Sequence, residues 1–405
     1  MRFCIAHGEL PCHDRTSGGL RLYTLVALLR EAGHPCDYLL TTPAAERTRL
    51  GHEDYARYID DLTALGVRVI EGTPPAHHRY QWDVVIFEWY MTATALLTEF
   101  RAWHPNTRMV IDSVDLTFRR WEARAALTQL PADRDHAARI RREELASYRR
   151  ADLVLTLTPE ESADLQALIP GLPCFEIPNI HAIPPLARTE ATDPELLFIG
   201  SFSHQPNTDA VRWFRDAIWP AIHAAVPRCR WTIVGAEAPE DIATIADPAI
   251  TVTGRVPDTQ PYLARAWLSI APLRFGAGMK GKVGEALAAG VPVLTTPFGA
   301  QGYGLSDGVS AVIAADADGL VAGALQLLGS KAQRHAMGMA GREAVIQRFS
   351  RAVIAARIPD FIALLANTTP RSLPGLPGLA RLGYRLRGIW QRHLAWRLRP
   401  SLSQS

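Results

Sequence analysis

Residues 273–294 read LRFGAGMKGKVGEALAAGVPVL, and within them Gly276-Ala277-Gly278-Met279-Lys280-Gly281 has the spacing G-x-G-x-x-G. Glycines so spaced between a strand and a helix let backbone amides close on phosphate oxygens, at a helix N-terminus whose dipole favours an anion. An apolar run, Trp267–Ala271, precedes the loop and a helical run, Lys282–Ala289, follows it. A dinucleotide site needs in addition an acid about 20 residues on, where the next strand ends, to hold a ribose. No Asp or Glu occurs between Glu285 and Asp307, and the loop belongs to a late strand of its half rather than the first. The reading is therefore phosphate rather than a nicotinamide dinucleotide, the alternative being a purely structural strand-to-helix turn.

Lysine usage points the same way. The chain has three lysines and 40 arginines, and Lys280 and Lys282 are two of the three. A compact ammonium in a tight turn suits phosphate oxygens better than a broad guanidinium fork. Glu285 follows one turn into the helix. A carboxylate so close to a diphosphate needs a specific task, such as accepting hydrogen bonds from ribose hydroxyls; the alternative is a helix-dipole acid.

Two further acids end apolar runs. Glu88 follows Val84–Phe87, and Asp115 closes the stretch Asp112-Ser113-Val114-Asp115 after Ile111. Both are candidates to touch substrate, with Asp115 otherwise a turn or N-cap acid. Asp316-Ala317-Asp318 spells a D-x-D, but ahead of Gly319-Leu320-Val321 it reads as a helix N-cap. His77-His78 stands without a partner at metal-ligand spacing, and no metal site is expected. Protease, serine-hydrolase and P-loop signatures are absent.

The elements that hold these residues follow from periodicity. Strands are expected at Arg2–Ala6, Asp37–Leu40, Val67–Ile70, Val84–Phe87, Arg108–Ile111 and Leu153–Leu157. A second series falls at Leu196–Ile199, Arg230–Val234, Trp267–Ala271, Val291–Leu294 and Ala311–Ile313. Helices are expected at Leu20–Ala32, Ala123–Arg150, Ala210–Ala225 and Lys282–Ala289. Leucine-rich and β-branched strands alternating with amphipathic helices imply parallel sheets covered on both faces, with ligands at the strands' carboxyl ends. The proline-rich stretch Pro178–Pro194 divides the series. The expectation is an α/β chain with domains at 1–180 and 181–350, a crossover helix at 351–367 and a tail at 371–405.

At 405 residues, 48% hydrophobic and 21% charged, the chain has material for two buried cores. Five scattered cysteines without a C-x-x-C pair suit a reducing compartment. With no leader and no apolar run of about 20 residues, the location expected is the cytoplasm. The net charge of +2 hides an asymmetry: seven arginines and no acid lie between Arg371 and Ser405, leaving a mildly acidic body. That body does not suit nucleic acid. In the tail, Leu382, Leu386, Ile389, His393 and Trp396 share one helical face and Arg381, Arg385, Arg392 and Arg399 another. The tail is thus a candidate for peripheral binding to an anionic membrane surface, the alternative being a helix packed across the domains or a loose end.

These motifs together carry a resemblance. The blocks LLFIGSFSHQPNTDAVRWF, RWTIVGAEAP, VTGRVPD, LSIAPLRFGAGMKGKVGEALAAGVPVLTTPFGAQG and RFS, in order from Leu196 to Ser350, resemble the donor domain of family-4 glycosyltransferases. These belong to the glycosyl transferases group 1, retaining enzymes of the GT-B fold, whose two Rossmann-like doubly wound domains face across a cleft. The first half is similar through DRTSGGLRLYTLVALLREAGH, IDSVD and ADLVLTLTPEESADL followed by IPNI. The resemblance implies a nucleotide diphosphate sugar in the cleft and a glycan or lipid-linked acceptor, with no metal or other cofactor. Gly18 and Gly19 would approach the diphosphate from the first domain, and Gly200, Ser201, Gly278, Met279, Lys280, Gly281 and Lys282 from the second. Glu285 would hold the ribose and Val256 would lie by the base. The family's pair of glutamates eight positions apart is half present: Glu285 matches the second and Ala277 stands at the first. Ala277 keeps open a non-catalytic nucleotide-sugar or glycan-binding subunit. A sugar-nucleotide epimerase on a similar scaffold lacks a supporting acid cluster.

Overall fold

The computed structural model describes residues 1–72 and 80–372. His77-His78 and the tail positions from Leu382 to Arg399 lie outside the described residues. Two parallel sheets account for the strands. The first contains β1 (Phe3–His7), β2 (Cys36–Leu40), β3 (Arg68–Glu71), β4 (Val84–Glu88), β5 (Arg108–Asp112), β6 (Leu153–Thr156) and β7 (Cys174–Glu176), in the order β3-β2-β1-β4-β5-β6-β7. The second contains β8 (Glu195–Ile199), β9 (Arg230–Val234), β10 (Ile250–Gly254), β11 (Leu268–Ala271), β12 (Val293–Thr295) and β13 (Val312–Ile313), in the order β10-β9-β8-β11-β12-β13. Each order reverses direction beside its first strand, at β1/β4 and β8/β11. Such a switch point leaves a crevice at the carboxyl ends of the strands.

The central strands are apolar throughout because helices cover both faces. Leu22, Leu25 and Val26 of helix Ser17–Glu31 pack on one face of the first sheet, together with Ile354, Ile358, Phe361 and Leu365 of helix Arg351–Asn367. In the second sheet Phe198, Trp231 and Leu268 pack under Phe214 and Trp219. This is the GT-B architecture: two α/β domains with parallel sheets and a cleft between them.

Two local features depart from expectation. The helix expected over Ala123–Arg150 is two, Thr117–Thr128 and Pro131–Tyr148, because Gln129 takes a left-handed φ of 57° and Pro131 opens the second. Strands β7 and β10 were not expected. Both are sheet edges with several half-buried residues, so neither carries a continuous apolar run. Asp316 is an N-cap as expected, accepting from the Gly319 amide at 2.8 Å.

Candidate functional site

Loops after β1, β5, β8 and β11 meet between the domains. Helix Ser17–Glu31 begins at Thr16, whose hydroxyl accepts the Gly19 amide at 3.0 Å. Helix Gly281–Ala288 begins at Lys280 without a side-chain cap. Neither has an acid in its first turn, so two positive helix ends point into one space. Their approach is very close: a Cβ on Gly281 would lie 2.3 Å from both Cβ and Oγ of Ser17. Gly278, at φ 63°, turns the loop onto the first domain, where an added Cβ would meet Asp115 Cβ at 2.9 Å and Leu157 Cδ1 at 3.1 Å. Only a glycine takes this turn and this contact at no cost. A Cβ on Gly18 would make ordinary contact with Val114 Cγ1 at 3.8 Å, whereas Gly19 is pressed against the backbone of Cys12 in its own loop.

The two lysines divide their work. Nζ of buried Lys280 donates to the carbonyls of Ala277 at 3.0 Å and Gly278 at 2.6 Å, and to Gln301 Oε1 at 2.9 Å. Those bonds occupy all three donors of an ammonium and fasten the glycine loop to itself. Lys282 makes one side-chain bond, to Asn207 Oδ1, with Nζ 4.2 Å from the Phe198 ring centre and against Gly200. It therefore keeps donors for an anion. Burial lowers Lys280 to about 8 although Asp115 and Glu161 oppose the shift. Burial and then the neighbouring Lys280 bring Lys282 down to about 7. Asn207 Nδ2 also holds the Ser201 carbonyl at 2.6 Å, fixing the turn after β8.

Glu285 lies deeper along the same helix. Its Oε1 accepts the Thr259 hydroxyl, and burial raises its pKa against that hydrogen bond. Thr259 belongs to the loop that carries half-buried Val256, so the carboxylate and this loop stand together. Behind the loop, Asn179 Nδ2 donates to the Met279 carbonyl at 3.1 Å, and Tyr303 OH donates to the Lys280 carbonyl at 3.0 Å while meeting His181 Nε2 at 3.0 Å. Burial drops His181 to about 4, so it is neutral. Asn179, His181, Asn207, Thr259 and Tyr303 were not singled out from sequence. Asn179 and Asn207 sit inside the quoted blocks IPNI and SFSHQPN, and the other three carry no local signal.

The two candidate acids separate. Asp115 lies at the domain contact beneath Gly278, with Oδ2 taking Arg120 NH1 at 3.0 Å and Oδ1 the Thr117 hydroxyl at 3.3 Å. Preceding it, Val114 holds φ 58°, a strained left-handed conformation for a β-branched residue. Glu88, the other candidate, is more enclosed than Asp115. It is 2% exposed, its Oε2 is enclosed without a hydrogen bond, and burial followed by the Asp112 charge raises its pKa well above the usual range. Arg21 NH1 meets Asp112 Oδ2 at 2.7 Å, with both side chains fully buried. Glu88 thus belongs to a buried cluster with Asp112 and Arg21, in which burial and the Asp112 charge favour its protonated form.

Beside the loop a cavity of about 570 Å³ opens between Leu116, Arg119 and Glu161 of the first domain and Ala277, Phe298 and Gln301 of the second. Among the described residues no cluster of metal ligands occurs, and no helix is long and apolar enough to cross a membrane.

The cleft between two parallel-sheet domains defines a GT-B protein. Residues 193–330 match the family described as glycosyl transferases group 1. The chain is similar in structure to sucrose-phosphate synthase from Thermosynechococcus elongatus, with a TM-score of 0.68 and 16% identity over 90% of this chain and 99% of that one. It is also similar to Anabaena HepE, solved with UDP and glucose, with a TM-score of 0.62 and 12% identity over 90% of this chain and 100% of that one. A trehalose-6-phosphate synthase gives a TM-score of 0.59 at 12% identity, over 92% and 100% of the two chains. At these identities the likeness is one of fold. No curated protein matches the sequence.

Proposed function

We propose that the protein is a family-4 retaining glycosyltransferase, moving a sugar from a nucleotide diphosphate donor to an acceptor hydroxyl. One observation carries the reading: two helix N-termini without first-turn acids meet at Ser17 and Gly281, with the Lys282 ammonium beside them. Amides, dipoles and an ammonium fixed before the reaction stabilise charge where it develops on the departing diphosphate. Lys282 faces that charge directly, and Lys280 holds the amides in place. Glu285 accepts the ribose hydroxyls, and the loop of Val256 lies against the base. Asp115, carried with the glycine loop, lies where the sugar meets the first domain. The acceptor enters from the cavity side, and its oxygen attacks the face from which the diphosphate leaves, so the anomeric configuration is kept. The glycosyl transferases group 1 match over the second domain and the UDP and glucose in HepE support this reading.

The experiment is a binding screen of uridine, guanosine, adenosine and thymidine diphosphates, followed by turnover of the matching sugar nucleotides. Sugar transfer or donor hydrolysis, with the anomer identified by NMR, supports the enzyme. Tight nucleotide-sugar binding without turnover, across a range of acceptors, would leave a binding subunit instead.

A further inference from the structure

The cavity beside the glycine loop has a charge character opposite to that of the phosphate side. Its lining includes four carboxyl side chains, Glu122, Glu160, Glu161 and Asp164, against the single guanidinium of Arg119. That guanidinium is already committed: Nε donates to Asp164 Oδ2 at 2.8 Å and NH1 to Glu122 Oε2 at 2.9 Å. Lys280, behind the glycine loop, has its donors engaged with Ala277, Gly278 and Gln301. Glu122 Oε1 also takes Arg141 NH1 at 3.2 Å, and burial raises Glu161 to about 7. Among the described residues, an anionic group entering here meets the unpaired carboxylate of Glu160, the partly charged Glu161 and no uncommitted cation of the lining.

Glu161 supplies an independent observation. Its Oε2 accepts the Leu157 amide at 2.9 Å, but Oε1 has no hydrogen bond although the residue is only 8% exposed. A buried carboxyl oxygen without a donor, on the wall of a cavity, is matched by a ligand that brings a hydroxyl or an amine. Leu116, Ala123, Ala126 and Phe298 complete the wall with apolar surface suited to the C–H face of a sugar ring.

We propose that this cavity is the acceptor subsite, and that it takes a neutral or amine-bearing sugar that carries no phosphate or carboxylate and donates a hydrogen bond to Glu161. The proposal rests on the glycosyltransferase reading for the neighbouring diphosphate. The cleft then segregates charge: cationic helix ends and Lys282 hold the donor, and carboxylates select the acceptor.

The test is saturation-transfer NMR on the full chain, with whichever nucleoside diphosphate the screen selects present throughout. The probes are matched sets of glucose, galactose and mannose, each as the parent sugar, the 2-amino sugar and the 6-phosphate. In the set that binds, the parent or amino sugar should bind at least about tenfold tighter than the phosphate. Glu161→Gln should weaken the amino sugar more than the parent. Glu160→Lys, at an exposed position, should raise phosphate affinity by about tenfold. A phosphate that binds tightest, no binding by any sugar, or phosphate affinity unchanged by Glu160→Lys would each overturn the proposal. Nucleotide resonances, read in the same samples, show whether the donor reading fails with it or stands alone.

Discussion

Gly281 and Ser17 lock two helix ends together across the domain boundary, with room for a hydrogen at position 281 but not for a methyl group. Alanine in a helix is ordinarily favoured over glycine by roughly 0.5–1 kcal/mol. Gly281→Ala should nevertheless weaken nucleotide binding, since overpacking costs about 1–3 kcal/mol here and drives the helix ends apart. Adding Ser17→Gly should restore affinity to near the starting value, measured by calorimetry with the selected nucleotide. Failure of the second substitution to rescue the first would mean that the contact does not set the site.

Lys280 and Lys282, neighbours in sequence, should respond differently to loss of charge. Lys280→Met removes the donor from three acceptors and should lower stability by about 1–3 kcal/mol, read in a urea titration. Lys282→Met leaves one acceptor, Asn207, and should chiefly reduce affinity for the diphosphate. The pH dependence follows from the Lys282 value of about 7. A bound diphosphate favours the ammonium, so binding above that pH takes up a proton and affinity falls by up to about tenfold per unit of rising pH. A nucleotide sugar is the right probe, because its diphosphate diester does not titrate in this range. Calorimetry in buffers of different ionisation enthalpy should detect the uptake in the wild type and lose most of it in Lys282→Met.

The glycine loop was legible as a strand-to-helix turn because its form is written in local spacing: glycines, a preceding strand, a following helix and a rare pair of lysines. The division of labour between those lysines was not. It depends on carbonyls the loop turns back on itself and on Gln301 and Asn207, 21 and 75 residues away. Glu88 and Asp115 looked equivalent because each follows an apolar strand. Their partners separate them: Asp115 pairs with Arg120 and Thr117, whereas Glu88 lies among Asp112 and Arg21, which arrive from other elements. Edge strands β7 and β10 escaped for the same reason that central strands were clear: a half-buried strand has no continuous apolar run.

Glu285 can be tested against the position of the ribose. Glu285→Ala should weaken binding of the nucleoside diphosphate by about 1.5–3 kcal/mol, the range for a hydrogen bond to a charged group, and leave inorganic pyrophosphate unaffected. Thr259→Val should produce a smaller loss, since Thr259 orients the carboxylate. Equal losses for pyrophosphate and nucleotide would move Glu285 away from the ribose and into support of the phosphate turn.

Glu88 gives the opposite kind of prediction, because its carboxyl is enclosed with Asp112 and Arg21. The pairing of Arg21 with Asp112 balances one charge, and burial with the Asp112 charge shifts Glu88 toward its protonated form. Glutamine reproduces the shape and neutrality of that acid, so Glu88→Gln should change turnover by no more than about twofold and stability at acid pH by under about 1 kcal/mol. Above the reference value of 4.5 the unfolded chain releases this proton while the folded chain retains it. Folding then takes up a proton, and stability contributed by this group falls as pH rises toward the folded pKa, at about 1.4 kcal/mol per unit. Glu88→Gln abolishes that slope, and the variant should gain on the wild type as pH rises above about 5 in paired urea titrations. A collapse of turnover with stability intact would instead return Glu88 to the chemistry of the cleft.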